Sequence, residues 1–242
     1  MKAVILLAGI GSRLHPLTLD KPKSLLPVGD ATILQHMLTK LLKNGVDSFI
    51  IICGHMQEII ESYVQENFPT LPVRFVRNEH YLVTNTGYSV MLARPYLDGQ
   101  SFIKLDGDVI FDEAIIQKLL ATDDSASVVC VDHTAVNEEV IKVICHPNGD
   151  ISRIGNRVPV AQAIGESIGI EKISAATATT LFDALERMMA SEANWKYYYE
   201  VAYDQIIEAG ARFSTVDISG LKWVEMDTQA DYAQALREFA PT

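Results

Sequence analysis

Apolar residues along this chain follow two kinds of pattern, and the change between them divides it. In the first hundred residues, short runs at residues 3–7, 48–53, 73–76 and 102–105 alternate with stretches of helical period at residues 31–44, 56–67 and 85–93. The first helical stretch puts Ile33, Leu34, Met37, Leu38, Leu41 and Leu42 on one stripe, with Asp30 placed to cap its start and Gly45 to stop it. Strands alternating with helices imply a mostly parallel sheet between helical layers. The second half differs, because extended segments at 127–131, 140–146 and 150–154 surround Pro147-Asn148-Gly149, a hairpin signal. Helices are expected at 175–190 and 196–209, short strands near Phe213 and Trp223, and a last helix after Thr228. The expected fold is α/β: one domain over residues 1–242, a mixed but mostly parallel sheet flanked by helices, with a β-rich insertion. Its ligand cleft belongs at the carboxyl ends of the parallel strands.

Composition narrows the partners. With 48% hydrophobic residues the chain has ample material for a core, and 31 acidic against 20 basic residues give a formal charge of −11. Such a charge repels nucleic acid and anionic membrane. It also repels a nucleoside triphosphate, unless a few cations are concentrated locally and a divalent metal offsets the carboxylates. Cys53, Cys130 and Cys145 are odd in number and lack C-x-x-C spacing, so neither a disulfide framework nor a zinc knot is expected. The apolar run after Lys2 is short and has no cleavage pattern, and no other stretch approaches membrane-spanning length. The expected location is the cytoplasm.

The local cations lie in residues 7–28, LAGIGSRLHPLTLDKPKSLLPV, directly after an apolar run. Gly9 and Gly11 permit close backbone approach, so several N–H groups can face one anion, and Arg13 and Lys23 add two cations between the stiffening Pro16 and Pro22. The alternative is a purely structural loop. A dinucleotide fingerprint does not fit, because its third glycine would fall at Leu14, and no Gly-Lys-Ser/Thr of a P-loop is present. The segment resembles, almost end to end, the pattern L-A-G-x-G-x-R-L-x-P-x-T-x-x-x-P-K-x-L-L-P-V of the sugar and small-alcohol nucleotidyltransferases. That resemblance implies a Rossmann-like fold of the nucleotide-diphospho-sugar transferase kind. It implies that Leu7, Ala8 and Gly9 approach the base and ribose, and that Gly11, Ser12 and Arg13 approach the triphosphate. Arg13 and Lys23 would then serve catalysis at the reacting phosphates.

Residues 102–111, FIKLDGDVIF, end an apolar strand in Asp106-Gly107-Asp108. Paired carboxylates at a strand's carboxyl end suit Mg²⁺, although D-x-D alone is equally a solvated turn. The resemblance assigns Asp108 to the metal and sets Asp106 beside the nucleotide or a metal. Near the end, residues 223–228 read WVEMDT, with Thr228 and Asp231 fit for a capping box, and the resemblance makes Asp227 the second metal carboxylate. Helix-dipole stabilisation is the alternative role for Asp227. The reaction so implied has an acceptor oxygen attacking the α-phosphorus while pyrophosphate leaves. Such an acceptor is already ionised near neutral pH, and no protein base is required.

Four later stretches, TNTGYS (84–89), EEVIKV (138–143), GESIGIEKIS (165–174) and YYYEVAYDQII (197–207), are similar to those of bacterial phosphocholine and phosphonate cytidylyltransferases. The likeness implies CTP as donor and phosphocholine or 2-aminoethylphosphonate as the kind of acceptor. It sets Thr84 and Asn85 near the nucleotide, Ser89 near the acceptor, Lys142 near the acceptor's phosphorus, and Glu166 and Glu200 in the acceptor pocket. Glu166 lies between apolar Ile164 and Ile168, where a carboxylate wants a partner such as an ammonium. Trp195, Tyr198, Tyr199, Ala202, Ile206 and Ile207 recur at helical spacing and read as core before they read as an aromatic cage, with Glu200 on another helix face. One departure is that Ile154-Gly155 is followed by Asn156 and Arg157, where related enzymes carry Lys. A sugar-1-phosphate or inositol-phosphate nucleotidyltransferase is the alternative enzyme. A non-catalytic nucleotide-sensing domain is the other class, and the presence of Arg13, Lys23, Asp108 and Asp227 together speaks against it. A homo-oligomer is compatible with the sequence.

Overall fold

The computed structural model describes residues 1–123, 125–134 and 136–239. Strand β1 (Lys2–Leu7) is buried at every position after Lys2, as a strand covered on both faces must be. Strands β2 (Pro27–Val28) and β3 (Ala31–Thr32) form a small hairpin after the long loop, and helix α1 (Ile33–Lys43) follows. The cap of α1 is Thr32, whose Oγ1 accepts from the Gln35 amide at 3.1 Å, and not Asp30. Gly29, at φ 67°, and Asp30 make the two-residue turn of the hairpin, which delays the helix start. Leu42, expected on the buried stripe, is instead exposed.

The alternation continues through β4 (Ser48–Cys53), α2 (Gln57–Asn67), β5 (Val73–Arg77), the short helices α3 (Thr86–Met91) and α4 (Arg94–Leu97), and β6 (Phe102–Asp106). A short strand, β7 (Val109–Phe111), and a helix the pattern did not single out, α5 (Glu113–Leu120), come next. The second half holds β8 (Ser127–Asp132), β9 (Lys142–Cys145), β10 (Ile151–Gly155), β11 (Gly165–Ile173), α6 (Ala175–Met189) and α7 (Tyr199–Glu208). It closes with β12 (Phe213–Asp217), β13 (Trp223–Glu225) and α8 (Gln229–Glu238), the last started by the expected capping box of Thr228 and Asp231. Helix α7 begins three residues later than its apolar period, because residues 192–194 form a separate turn.

The fold is the expected mixed sheet flanked by helices. Strands β6, β1, β4 and β5 are parallel neighbours, β11 runs antiparallel to β6, and β9 and β10 extend that edge as an antiparallel pair. One face packs Val4, Ile50 and Ile52 against Leu181, Phe182 and Tyr203 of α6 and α7; the other packs Ile5 and Ile51 against Leu38, Ile60 and Ile115 of α1, α2 and α5. Strand β11 pairs with β9 at Gly165 and Glu166 and with β6 from Ile170 onward. Gly169 lies between these pairings at φ +74°, and a Cβ there would come 2.2 Å from Asp106 Oδ2. Only glycine lets the ladder break here and admit the Asp106 side chain.

Candidate active site

A cleft of about 650 Å³ opens beyond the carboxyl ends of β1 and β6, a size suited to a small ligand. Its first wall is the loop after β1. Gly11 is left-handed at φ 68°, and its carbonyl accepts from Thr18 Oγ1 at 2.8 Å and from the Leu14 amide at 3.0 Å, which ties the loop back on itself. The turn at Ser12–Leu14 leaves the Arg13 side chain 70% exposed, whereas the turn at Lys23–Leu25 directs Lys23 inward at 17%. Ala8, Gly9, Gly11 and Ser12 line this wall with the two cations. Leu7 does not: strand alternation gives the cleft Leu6 and sends Leu7 into the opposite core.

Antiparallel pairing of β13 with β7 brings the carboxyl-terminal acidic segment to the end of β6, with the Met226 amide donating to the Asp108 carbonyl at 2.9 Å. Carboxylate oxygens of Asp108, Glu225 and Asp227 there lie within 4.8 Å of one another. Lys23 Nζ contacts Asp108 Oδ2 at 2.7 Å and Asp227 Oδ1 at 3.3 Å, and Arg13 Nη2 contacts Asp227 Oδ2 at 2.8 Å. Burial opposes the charge on Lys23, but Asp108 and then Asp227 outweigh it and raise its pKa; burial likewise opposes Asp108, and Lys23 outweighs it, so Asp108 is lowered. Glu225 is exposed as a residue, but loss of solvent around its carboxyl end, then Asp108 and Asp227, push it up to about 8. The buried Asp108 Oδ1 has no hydrogen-bond partner among the described residues. Three convergent carboxylates with an orphaned oxygen are a donor set fitted to a hard divalent cation. Sequence reasoning missed Glu225, though its position two before Asp227 in an extended segment was the available signal.

The floor of the cleft is a second, deeper cluster. Lys104, fully buried on β6, contacts Asp106 Oδ1 and Glu171 Oε2, each at 3.1 Å, and sits 3.5 Å from the centre of the Tyr199 ring. The Tyr199 hydroxyl lies 2.9 Å from Asp106 Oδ2 and 3.3 Å from Glu171 Oε1. Glu200 follows on α7, 4% exposed, with its Oε2 unpartnered among the described residues and the residue lining the cleft. Burial pushes Glu200 up to about 8 and Glu171 up to about 7, in each case against the opposing pull of Lys104. Of the expected aromatic stripe, Tyr199, Ala202, Ile206 and Ile207 are core, while Tyr198 is exposed and lines the cleft.

Thr84, Asn85 and Ser89 line the opposite wall, organised by Asn78, which is 1% exposed. Asn78 Nδ2 donates to Thr84 Oγ1 at 3.0 Å and to Ser89 Oγ at 3.2 Å, and Asn85 Oδ1 caps α3 by accepting from the Thr86 amide at 2.8 Å. Glu166 reaches the cleft from β11 and is pushed up to about 7 by burial and then Asp132, with Lys142 opposing. Lys142 itself is not among the residues lining the cleft. It is fully buried, and its Nζ donates to the carbonyls of Asn137, Glu138 and Val140 at 3.4, 2.9 and 3.1 Å. Lys142 thus grips the loop that carries Asn137 and Glu139 into the cleft. Asn156 lines the cleft; Arg157 does not.

Residues 2–140, more than half the chain, match the family described as nucleotidyl transferase. The chain is 29% identical over its whole length to the CMP-5'-(3-aminopropyl)phosphonate synthase of Streptomyces rubellomurinus, spanning 39% of that longer protein. It is 24% identical to the CTP:phosphoglutamine cytidylyltransferase of Campylobacter jejuni, over 96% of this chain and 97% of that one. Its fold superposes on the CTP:phosphocholine cytidylyltransferase of Streptococcus pneumoniae with a TM-score of 0.80 and 22% identity, over 98% of each chain. The chain belongs to the nucleotidyl transferase family.

Proposed function

We propose that this nucleotidyl transferase moves CMP from CTP to a small phosphonate or phosphate bearing an ammonium group, such as an aminoalkylphosphonate or phosphocholine, and releases pyrophosphate. The observation that carries the acceptor class is Glu200, a buried carboxylate with an unpartnered oxygen in a cleft lined by seven acidic and two basic side chains. Burying such a group is unfavourable unless a cation or a proton completes it. The relatives that make or use cytidine nucleotides support CTP, and the aminopropylphosphonate product of one supports the amine.

In this mechanism the loop amides around Gly9 and Gly11 receive the triphosphate. Arg13, mostly exposed and held by one carboxylate, turns from Asp227 to phosphate oxygens. Lys23 neutralises charge that develops as the acceptor oxygen forms its bond to the α-phosphorus and the bond to pyrophosphate breaks. Mg²⁺ would be held by Asp108 and Asp227 with Glu225 beside them, and would supply further charge neutralisation when bound. Asn78, Thr84, Asn85 and Ser89 order the wall beside the nucleotide, and Glu166 and Glu200 receive the acceptor's cation. The unpaired cysteines accord with a cytoplasmic setting. Among the described residues no helix is long and apolar enough to cross a membrane.

Pyrophosphate release across four NTPs, each with aminoalkylphosphonates, phosphocholine, an inositol phosphate and sugar 1-phosphates, tests the proposal. CTP with an ammonium acceptor should give the highest kcat/KM. Faster turnover of UTP with a sugar 1-phosphate would overturn both halves of it.

A further inference from the structure

A lysine in the floor has no place in the mechanism above. Lys104 lies on β6 in strand register with Phe102 and Asp106, so its side chain points toward α7, and Glu171 is its directly opposed partner on β11. It is fully buried in the middle of a sheet, where an apolar side chain of similar volume would stabilise the fold at least as well. Three carboxylates, Asp106, Glu171 and Glu200, surround this one ammonium, yet its contacts within 4 Å go to the first two. The Tyr199 hydroxyl closes the same circuit by bridging Asp106 and Glu171. The odd carboxylate is Glu200, which has no ion-pair contact with Lys104 within 4 Å and whose buried Oε2 has no hydrogen-bond partner among the described residues.

We propose that Lys104 is a positioning residue: its ammonium engages Asp106 and Glu171 and thereby reserves Glu200 for the ammonium of the acceptor. The inference rests on the acceptor class proposed above and deepens it. Without an internal cation, the acceptor's ammonium would be shared among three carboxylates and its phosphonate would lose its register on the α-phosphorus. With Lys104 held by Asp106 and Glu171, Glu200 is the one of the three carboxylates left without a contact to the ammonium within 4 Å. In the free protein Glu200 carries a proton: burial, then Asp106 of β6 and Glu171 of β11, push its carboxyl up to about 8 against the pull of Lys104, with Tyr199 and Tyr203 of its own helix beside it. Acceptor binding replaces this proton, which leaves to solvent.

The test compares 3-aminopropylphosphonate with 3-hydroxypropylphosphonate, which differ in the ammonium, with each KM referred to the concentration of the phosphonate dianion. Between pH 6.5 and 8.5 the wild-type KM for the amine should fall by roughly 20-fold more than that for the alcohol, as Glu200 loses its proton. Lys104→Met should move this dependence to higher pH and raise the amine KM at pH 7.5 by about fivefold, with less than a twofold change for the alcohol; Lys104→Arg should restore it. If Lys104→Met does not fold, Glu171→Gln serves: it leaves Lys104 to turn toward Glu200, which lowers the Glu200 titration and weakens the amine alone. Equal pH dependence for amine and alcohol overturns the inference, as does an unchanged profile in both variants. If neither acceptor is turned over, the proposed acceptor class fails. Carboxyl-carbon NMR of the free protein then decides separately, because a Glu200 that titrates near the ordinary 4.5 removes the reserved charge.

Discussion

Two clusters in this cleft have the same ingredients and opposite settings. At its mouth, Lys23 meets Asp108, Asp227 and Glu225; at its floor, Lys104 meets Asp106 and Glu171 beside Glu200. Lys23 comes from a loop and is joined by the exposed Arg13, so its contacts can be exchanged for phosphate oxygens and its carboxylates for a metal. Lys104 comes from a central strand at 0% exposure, with an aromatic ring against it. Burial thus separates a site built for exchange from one built to stay. Only one residue, Gly107, separates the carboxylates of the two clusters on the chain.

The largest expected effect breaks the mouth and leaves the floor. Asp108→Asn and Asp227→Asn should each lower turnover by about 10³-fold or more, with the circular dichroism spectrum and acceptor binding unchanged, because in the proposed mechanism each removes a charged ligand from the site where phosphate charge develops. Removal of divalent metal by EDTA should do the same, and restored Mg²⁺ should rescue the wild type but not the variants. Full activity after EDTA treatment would show that Lys23 and Arg13 suffice and that the carboxylates serve only as their counter-charges.

The two clusters were not equally legible in the sequence. Loop glycines, Arg13, Lys23 and the strand-end carboxylates follow from local chemistry and from a motif of fixed spacing, and the alternating sheet follows from apolar period. The floor is assembled from β6, β11 and α7, with Lys104 and Glu171 brought opposite by a register that no local pattern encodes. Lys104 reads in the sequence as a polar residue interrupting an apolar strand. Lys142 shows the same limit: it pairs beside Glu166, but its ammonium turns back to loop carbonyls that only the folded β9 edge presents. The start of α1 shifted because the Gly29-Asp30 turn used the predicted cap.

Lys142 also sharpens the comparison, since it is a buried lysine bonded to carbonyls where Lys104 pairs with carboxylates. Lys142→Met leaves those carbonyls without their donor and should cost about 3 kcal/mol of stability, read by urea unfolding. If it only holds the loop, KM for 3-aminopropylphosphonate and for its hydroxyl analogue should rise by the same few-fold factor, with kcat unchanged. A selective loss of kcat would instead return Lys142 to the reacting phosphate.

Taken group by group, the smallest effect concerns stability and pH, and it separates the clusters through metal. Glu171 and Glu200 are raised to about 7 and about 8, above the 4.5 of the unfolded chain, and Glu225 at the mouth is also raised to about 8. Between pH 4.5 and each raised value the folded protein holds a proton that the unfolded chain has lost. The stability that these three groups contribute is therefore fully present below that window and declines as pH rises through it, until all three are ionised in both states. Excess Mg²⁺ should bind the ionised Glu225 with its neighbours and remove that group's share of the decline, leaving the share of the floor. In 10 mM-scale Mg²⁺, on the order of the usual assay range, the melting temperature should still fall by about 10 °C from pH 6 to 8.5, equivalent to about 4 kcal/mol. Glu200→Gln should flatten most of what remains, because the amide has no proton to lose and no charge to bury. A slope that Mg²⁺ abolishes entirely would mean that the floor carboxylates ionise without penalty, and the contrast between an exchangeable mouth and a fixed floor would not hold.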